Sequence, residues 1–492
     1  MKKRLVSLAL CLVMVIAMAA GCGKKGQDAS TAPTDAPVSD DADKDGQDTP
    51  DDSQGTGDEK VTLKLGIWPE DTLTADIELH EGYVKTFNAA HPNVEVVPSY
   101  YKYATDTFVS LAESGNLPTI FETWYTEPQK LINGDFVADI TDILEERGWL
   151  DDINPSIREL LSKDGRIYGI PRDGYALGLM LNVELFEEAG LVDENGYPLY
   201  PKTWQELAET AKTIKDKTGQ AGLCLLAKDN AGGWHFSNIA WAFGATLTLD
   251  NGDGTFTSNL NTPEAIAAME YVKSLKWDYD VLTADPTNED WGTGFVNLGT
   301  GTAAMYIAAN DAVNQPTQVN GLPVDKLAMC ALPAGPNGEQ YSLSGGTPYM
   351  FAKSATRAEI NAALDYLEVM GKAPVATEDA IAGMKSDAEN KIANGVPVIP
   401  RFPCWINEEV LKAENDIIAE YGNVDTKLYE GYFEATKADG NLRMEEPGSA
   451  QDMYAELTKV MQAVITDKNA DVAALMKTAN DNYQTILDGL YK

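Results

Sequence analysis

Two α/β lobes are the architecture this sequence predicts, and three observations predict it. Beyond a polar N-terminal stretch about 430 residues remain, more than one ordinary hydrophobic core can organise. The first part of that region alternates strand-like and helix-like apolar spacing, the rhythm of βαβ units. The C-terminal part carries helical stripes instead.

The N-terminus comes first. Lys2, Lys3 and Arg4 precede an apolar, uncharged run from Leu5 to Ala20. That run is short for a membrane-spanning helix, which needs about 20 residues. Small residues ahead of a cleavage point are what a signal peptidase reads, and Ala19-Ala20-Gly21-Cys22 supplies them. The motif resembles the lipobox of bacterial lipoproteins, with Ala19 where Leu is usual, so residues 1–21 read as a signal peptide and Cys22 as the lipidated residue. Residues 22–59 are almost devoid of apolar side chains and carry acidic pairs such as Asp40-Asp41 and Asp51-Asp52. Such a segment cannot offset its ordering entropy and extends by self-repulsion, which predicts a disordered acidic tether.

Composition narrows the function. The formal net charge is -38, which argues against nucleic acid or another anionic polymer as partner. Of the five cysteines, Cys11 leaves with the signal and Cys22 takes the lipid. Cys224, Cys330 and Cys404 are too widely spaced for a disulfide framework or a zinc site and are expected to be small buried hydrophobes.

In the folded region, Val61 to Ile67 alternates strictly and predicts a strand. Leu79, Tyr83, Phe87 and Ala90 then mark a helix face, stopped at His91-Pro92-Asn93, and Val94, Val96 and Val97 begin a second strand. Phe108 to Leu111 (helix) and Pro118 to Phe121 (short strand) continue the pattern, so the first lobe is expected to hold a doubly wound parallel sheet with ligands beyond its carboxyl ends. Near the C-terminus, Met453, Leu457, Val460, Met461 and Val464 form one core-facing helical stripe, and Val472, Leu475, Met476, Ala479, Tyr483 and Leu487 another. Leu249 to Thr255 has glycine at two positions where a calcium loop wants oxygen ligands, so a β-hairpin turn is expected there. Gly292 to Gly301 lacks the Lys-Ser/Thr of a phosphate loop.

Five motifs, in order, carry a family resemblance. Asp164-Gly165-Arg166-Ile167-Tyr168-Gly169-Ile170-Pro171 is similar to the (D/N)GKxYGxP signature of family 1 extracellular solute-binding proteins. Leu181 to Leu191 resembles that family's YNKxLFEKAGL segment and is followed by Pro201-Lys202-Thr203-Trp204. Phe295 through Met305 is similar to its FxxGxAAM helix, and Leu332 to Gly338 with Ser344-Gly345-Gly346 to a late LPxGPxG…GG stretch. The motifs also have local readings. Asp164-Gly165 suits a tight turn, Gly169 a close backbone approach, Pro171 the point where the chain leaves the sheet, and Thr203 with Glu206 a capping box.

The resemblance implies a type II periplasmic-binding-protein-like fold, with two lobes joined by a hinge and a ligand cleft between them. It places 60–174 plus about 344–400 in the N-terminal lobe and 175–343 plus about 401–492 in the C-terminal lobe. It implies a non-enzymatic capture subunit of an ABC importer, monomeric, without cofactor, lipid-anchored on the extracellular face of the cell membrane. The partners would be a carbohydrate, read as an oligosaccharide from the spread of aromatics, and the permease. A non-sugar solute (peptide, polyamine or cation) on the same fold, or a lipid-anchored glycosidase, are the alternatives.

Sugars are met by flat aromatic rings and a few hydrogen-bonding side chains. Trp68 and Glu70 follow the first strand, and Trp124 and Tyr125 follow the strand ending at Phe121. Trp234, His235 and Trp241 lie around a Gly-Gly loop, Trp291 precedes a helix, and Gly346 closes the late glycine pair. Arg172-Asp173 follows the Pro171 turn, and Arg401 and Trp405 flank prolines. Of these, all but Trp241 are expected to touch ligand. Trp149, Trp204 and Trp277 read as packing residues. His235 has no Cys or carboxylate at ligand spacing, so no metal is expected.

Overall fold

The computed structural model describes residues 60–491 apart from 106 and 439. The expected signal peptide, Cys22 and the tether lie outside the described residues. No helix among the described residues is long and apolar enough to cross a membrane.

The first lobe begins with β1 (Val61–Leu65), α1 (Thr74–Ala90), β2 (Val94–Pro98), α2 (Phe108–Glu113) and β3 (Ile120–Glu122). β2, β1 and β3 pair in parallel, as the βαβ pattern predicts. Three short helices follow, α3 (Pro128–Asn133), α4 (Thr141–Arg147) and α5 (Pro155–Leu160). Then comes a hairpin of β4 (Ser162–Lys163) and β5 (Arg166–Ile167). Its turn residues Asp164 and Gly165 have φ of 52° and 77°, the left-handed pair that a two-residue hairpin needs.

β6 (Gly169–Asn182) is the spine of the molecule. Pro171 does not end the sheet as its sequence position suggests. The strand runs on through it because Pro171 faces Pro348 across the ladder, so neither proline is asked for an N–H there. The second lobe adds α6 (Val183–Ala189), α7 (Trp204–Thr218), β7 (Ala221–Cys224), α8 (Ala231–Ala242), β8 (Thr248–Asp250), β9 (Phe256–Ser258), α9 (Pro263–Trp277), α10 (Trp291–Gly299), β10 (Ala303–Ala309) and β11 (Leu327–Cys330). The expected hairpin is β8–β9. Ala303 to Met305, grouped with a helix by resemblance, open the fully buried strand β10. Thr203 caps α7 by accepting from the Glu206 N–H, while Glu206 itself reaches the Lys202 N–H one residue beyond a standard box.

β12 (Ser342–Phe351) returns antiparallel to β6 and pairs onward to β3. α11 (Arg357–Val369), α12 (Glu378–Ala393) and α13 (Glu408–Tyr421) follow, then α14 (Glu430–Lys437), β13 (Leu442–Met444), α15 (Ala450–Thr466) and α16 (Val472–Leu490). The sheet order is β2-β1-β3-β12-β6-β10-β7, with β11 beside β6 and β13 beside β12. One core holds Leu63, Phe87, Ile120, Phe351 and Tyr366. The other holds Leu179, Trp204, Trp241, Met305 and Met461. β6 and β12 cross between them. Cys224, Cys330 and Cys404 are free and buried, as the spacing predicts.

Candidate functional site

The site forms where β6 and β12 pass from one core to the other, and three glycines shape it. Gly345 lies opposite Tyr175. A Cβ at Gly345 would stand 2.5 Å from the Tyr175 hydroxyl oxygen, so the bare glycine lets that ring fold across β12. Gly346 does the same for the Tyr125 ring, at 2.5 Å from its edge carbon. Gly174 admits Phe402, at 2.4 Å. Between Pro171 opposite Pro348 and Asp173 opposite Thr347, Arg172 is the extra residue of a bulge, which re-aims its side chain.

Charge is concentrated at this floor and mutually compensated. Arg172 donates to Glu122 at 2.7 Å and to Asp173 at 2.8 Å, and Lys372 reaches Asp173 at 3.3 Å. Burial opposes ionisation of Asp173, but Lys372, Arg172 and Arg401 outweigh it and hold the carboxyl well below its usual range. Arg401 also pairs with Asp387 at 2.7 Å.

Aromatic rings line both sides. On the first lobe Trp124 is 40% exposed and rests edge-on against Tyr103 at 5.2 Å. The Tyr103 hydroxyl donates to buried Glu127 at 2.6 Å. Trp68 is half-buried, edge-on to His80, and Glu70 is exposed. On the second lobe Trp234 stands edge-on to Tyr175 at 6.3 Å and to Trp291 at 5.3 Å, and Trp291 is 36% exposed.

Trp234 belongs to α8, so Gly232-Gly233 is helix and not the loop its sequence suggests. The glycines are needed because α15 crosses there: a Cβ at Gly233 would meet the Tyr454 backbone at 2.3 Å. Trp291, expected just before a helix, is the first residue of α10, under a capping box from Asp290 and Thr293.

Several expected contacts are corrected by burial. His235 is fully enclosed; its Nδ1 accepts from the Leu226 N–H at 3.5 Å, and burial lowers its pKa to about 3. Trp405 packs edge-on against Trp149 and donates its indole N–H to the Lys372 carbonyl at 3.1 Å. Neither offers a face to a ligand. Tyr125 is buried too, but its hydroxyl has no hydrogen-bond partner. Trp149 and Trp204 are buried packing residues, and Trp277 is anchored on the Val464 carbonyl.

The sequence reading missed Tyr175, Lys372, Asp311, Glu445 and Gln451. Tyr175 was accessible to it, two residues beyond Asp173 on the strand already singled out. Asp311 follows β10, and its carboxyl is raised to about 6 by burial and by Asp173. Glu445 follows β13; burial raises it to about 8. Gln451 bridges the lobes, donating to Thr126 Oγ at 3.3 Å and accepting from Asn230 at 2.9 Å. Among the described residues no group of three or more His, Cys, Asp or Glu side chains could hold a metal ion.

Comparison with known proteins agrees with this architecture. The family model described as bacterial extracellular solute-binding protein matches residues 72–377. A putative binding protein of Brucella abortus (strain 2308) is 29% identical over 295 residues, 58% of this chain and 66% of that protein. Among solved structures, a solute-binding protein of an ABC transporter from Thermotoga lettingae bound to α-D-tagatose aligns at TM-score 0.65 and 16% identity, covering 87% of this chain and 100% of that one. A maltose-bound protein of T. maritima aligns at 0.63 and 19%, covering 87% and 99%.

Proposed function

The chain belongs to the bacterial extracellular solute-binding protein family, and from that premise we propose that it is the capture subunit of an ABC importer for a carbohydrate. The lobes would close on the sugar by hinge motion at β6 and β12, ligand favouring the closed population through its higher affinity for that form. The closed form would then be handed to the permease. A lipid on Cys22 and a flexible tether would hold the receptor at high effective concentration near that partner.

One observation carries the reading: partly exposed Trp124, next to Tyr125 on Gly346, and partly exposed Trp291, reached through Trp234 and Tyr175, flank the hinge strands from opposite lobes, beside first-lobe charges that are already paired. Aromatic faces suit the C–H faces of a sugar, and ion-paired side chains retain donors and acceptors for its hydroxyls. The lobe division is part of the proposal. Because α13 packs on α12, and α12 on α1 and α11, we place the return to the second lobe after Tyr421, later than residue 401.

The test is a thermal-unfolding screen of the purified chain against neutral mono- and oligosaccharides. A ligand at 100 times its Kd adds about 2.7 kcal/mol. A rise in the midpoint with one sugar series, recovered intact after incubation, supports the proposal. Cleavage of the sugar would point to the glycosidase alternative, and no response to any sugar would overturn the carbohydrate assignment.

A further inference from the structure

The two sides of the cleft differ in charge. On the first lobe every floor carboxylate has a cation: Glu122 and Asp173 share Arg172, and Asp387 has Arg401 and Lys391. On the second lobe Asp311 and Glu445 form no ion pair among the described residues; Arg172 and Lys372 act on Asp311 from a distance but are outweighed by burial and Asp173, and no cation acts on Glu445. Glu446, the neighbour of Glu445, is the one that takes Arg443.

The backbone places Glu445 beside the aromatic wall. Ser344 pairs with Met444 on one edge of β12, and Gly345 pairs with Tyr175 on the other. Glu445 is the residue just past the Ser344–Met444 pair, close enough to Tyr175 for its carboxyl to raise the Tyr175 pKa, and the missing side chain at Gly345 leaves room for the Tyr175 ring across β12. Tyr454 donates its hydroxyl to Glu445 at 3.2 Å, and its own backbone is the surface against which Gly233, beside Trp234, is packed. Asp311, just past the end of β10, is also near enough to the Tyr175 hydroxyl that both carboxyls raise its pKa. Aromatic faces beside an unpaired carboxylate are the arrangement that attracts an organic cation.

We propose that the wall formed by Tyr175, Trp234 and Trp291 with Glu445 and Asp311 is a subsite for a cationic nitrogen, so that the captured solute is a polyhydroxylated molecule bearing a protonated amine or a quaternary ammonium group. This rests on the carbohydrate reading and sharpens it. The groups facing Glu445 are the Tyr454 hydroxyl on α15, Tyr175 on β6 and, across the lobe boundary, Glu127. None supplies positive charge, and Glu127 opposes ionisation. At neutral pH Glu445 accordingly holds its proton before capture. Arrival of a cation favours the carboxylate, and the proton passes to the buffer. Affinity for a cation should then rise as pH increases from 6 towards about 8.

The probes are choline against its uncharged carbon isostere 3,3-dimethylbutan-1-ol, and glucosamine against glucose, followed by tryptophan fluorescence and by calorimetry in buffers of different ionisation enthalpy. The expected result is saturable binding of at least one cationic probe, with its neutral counterpart weaker by roughly 3- to 30-fold, and proton release at pH 7. Choline alone or glucosamine alone would identify the quaternary or the protonated amine as the source. Glu445→Gln should abolish the proton release, and Asp311→Asn, whose side chain reaches solvent although the surrounding protein desolvates its carboxyl, should weaken the cation without affecting folding. Equal affinity for charged and neutral probes, or no saturable response to either cation, would overturn the inference. Tight binding of a neutral oligosaccharide with no proton release would overturn it while leaving the carbohydrate reading standing.

Discussion

Gly345 lies opposite Tyr175, and an added methyl there would press on the Tyr175 hydroxyl and ring. Gly345→Ala is therefore expected to cost about 1–3 kcal/mol in chemical denaturation and to weaken ligand by turning the ring; unchanged binding would show that Tyr175 is not part of the wall. His235 supports a pH prediction. Burial holds its imidazole neutral down to about 3, whereas the unfolded side chain protonates near 6.5. The unfolded chain thus binds the extra proton between those values. The stabilisation is whole above about 6.5 and is lost as pH falls, at no more than about 1.4 kcal/mol per pH unit. His235→Phe should flatten the acid limb of the stability curve between pH 6 and 4, and parallel curves for the two proteins would rule out His235 as its source. Trp124 could be chosen from the sequence because it follows closely on a strand of a βαβ pattern, and Trp234 because it follows the Gly232-Gly233 pair, although that pair proves to be helix. His235 and Trp405 could not be told from them, since the rings that enclose them, Tyr306 and Trp149, come from segments distant in sequence. Glu445 carried no signal at all: its environment exists only once β13 has paired with β12.

Among the elements, α10 shows how a local rule sets the site. Its capping box is fully formed, with the Thr293 N–H donating to Asp290 at 3.0 Å and the Asp290 N–H donating to the Thr293 hydroxyl at 2.8 Å. Lys228 adds a contact to the same carboxylate at 2.7 Å. Asp290→Ala should cost about 0.5–2 kcal/mol of stability and, because Trp291 opens the helix, should also lower affinity. A loss of stability with full affinity would detach α10 from the ligand. Glycines in helices here fall into two classes that sequence alone merges. Gly233 in α8 is fixed by the crossing with α15, whereas Gly82 in α1 is exposed with nothing within 4 Å of an added Cβ. Gly82→Ala should raise stability by roughly 0.5–1 kcal/mol, read from the urea midpoint. The parallel strands and long amphipathic helices were legible because their periodicity is local. The glycine pair of α8 read as a loop because its justification lies on another helix, more than two hundred residues later.

Across the whole molecule, two long strands supply the hinge, and the loop after α12 adds a third tie. Val396 packs with Tyr429 and Tyr432 of the second lobe, while Trp405 belongs to the core of the first. The lobe division was legible in the sequence because chain length and the two kinds of periodicity demand two cores. The return point was not, because α12 and α13 carry no mark of which core they join. Beside the hinge strands, a further contact between the lobes runs through polar groups: Asn230 donates to Gln451, Gln451 to Thr126, and Thr126 to Glu127 at 3.3 Å. Such a chain favours the closed arrangement by about the net value of a hydrogen bond, 0.5–1.5 kcal/mol, little enough for ligand to govern the balance. Gln451→Ala removes the link without touching either core. It should leave the unfolding midpoint nearly unchanged, increase the radius of gyration measured by small-angle scattering in the absence of ligand, and lower affinity about two- to tenfold. If the radius stays the same while affinity falls, Gln451 acts as a ligand contact. If neither changes, closure is set by the hinge strands alone.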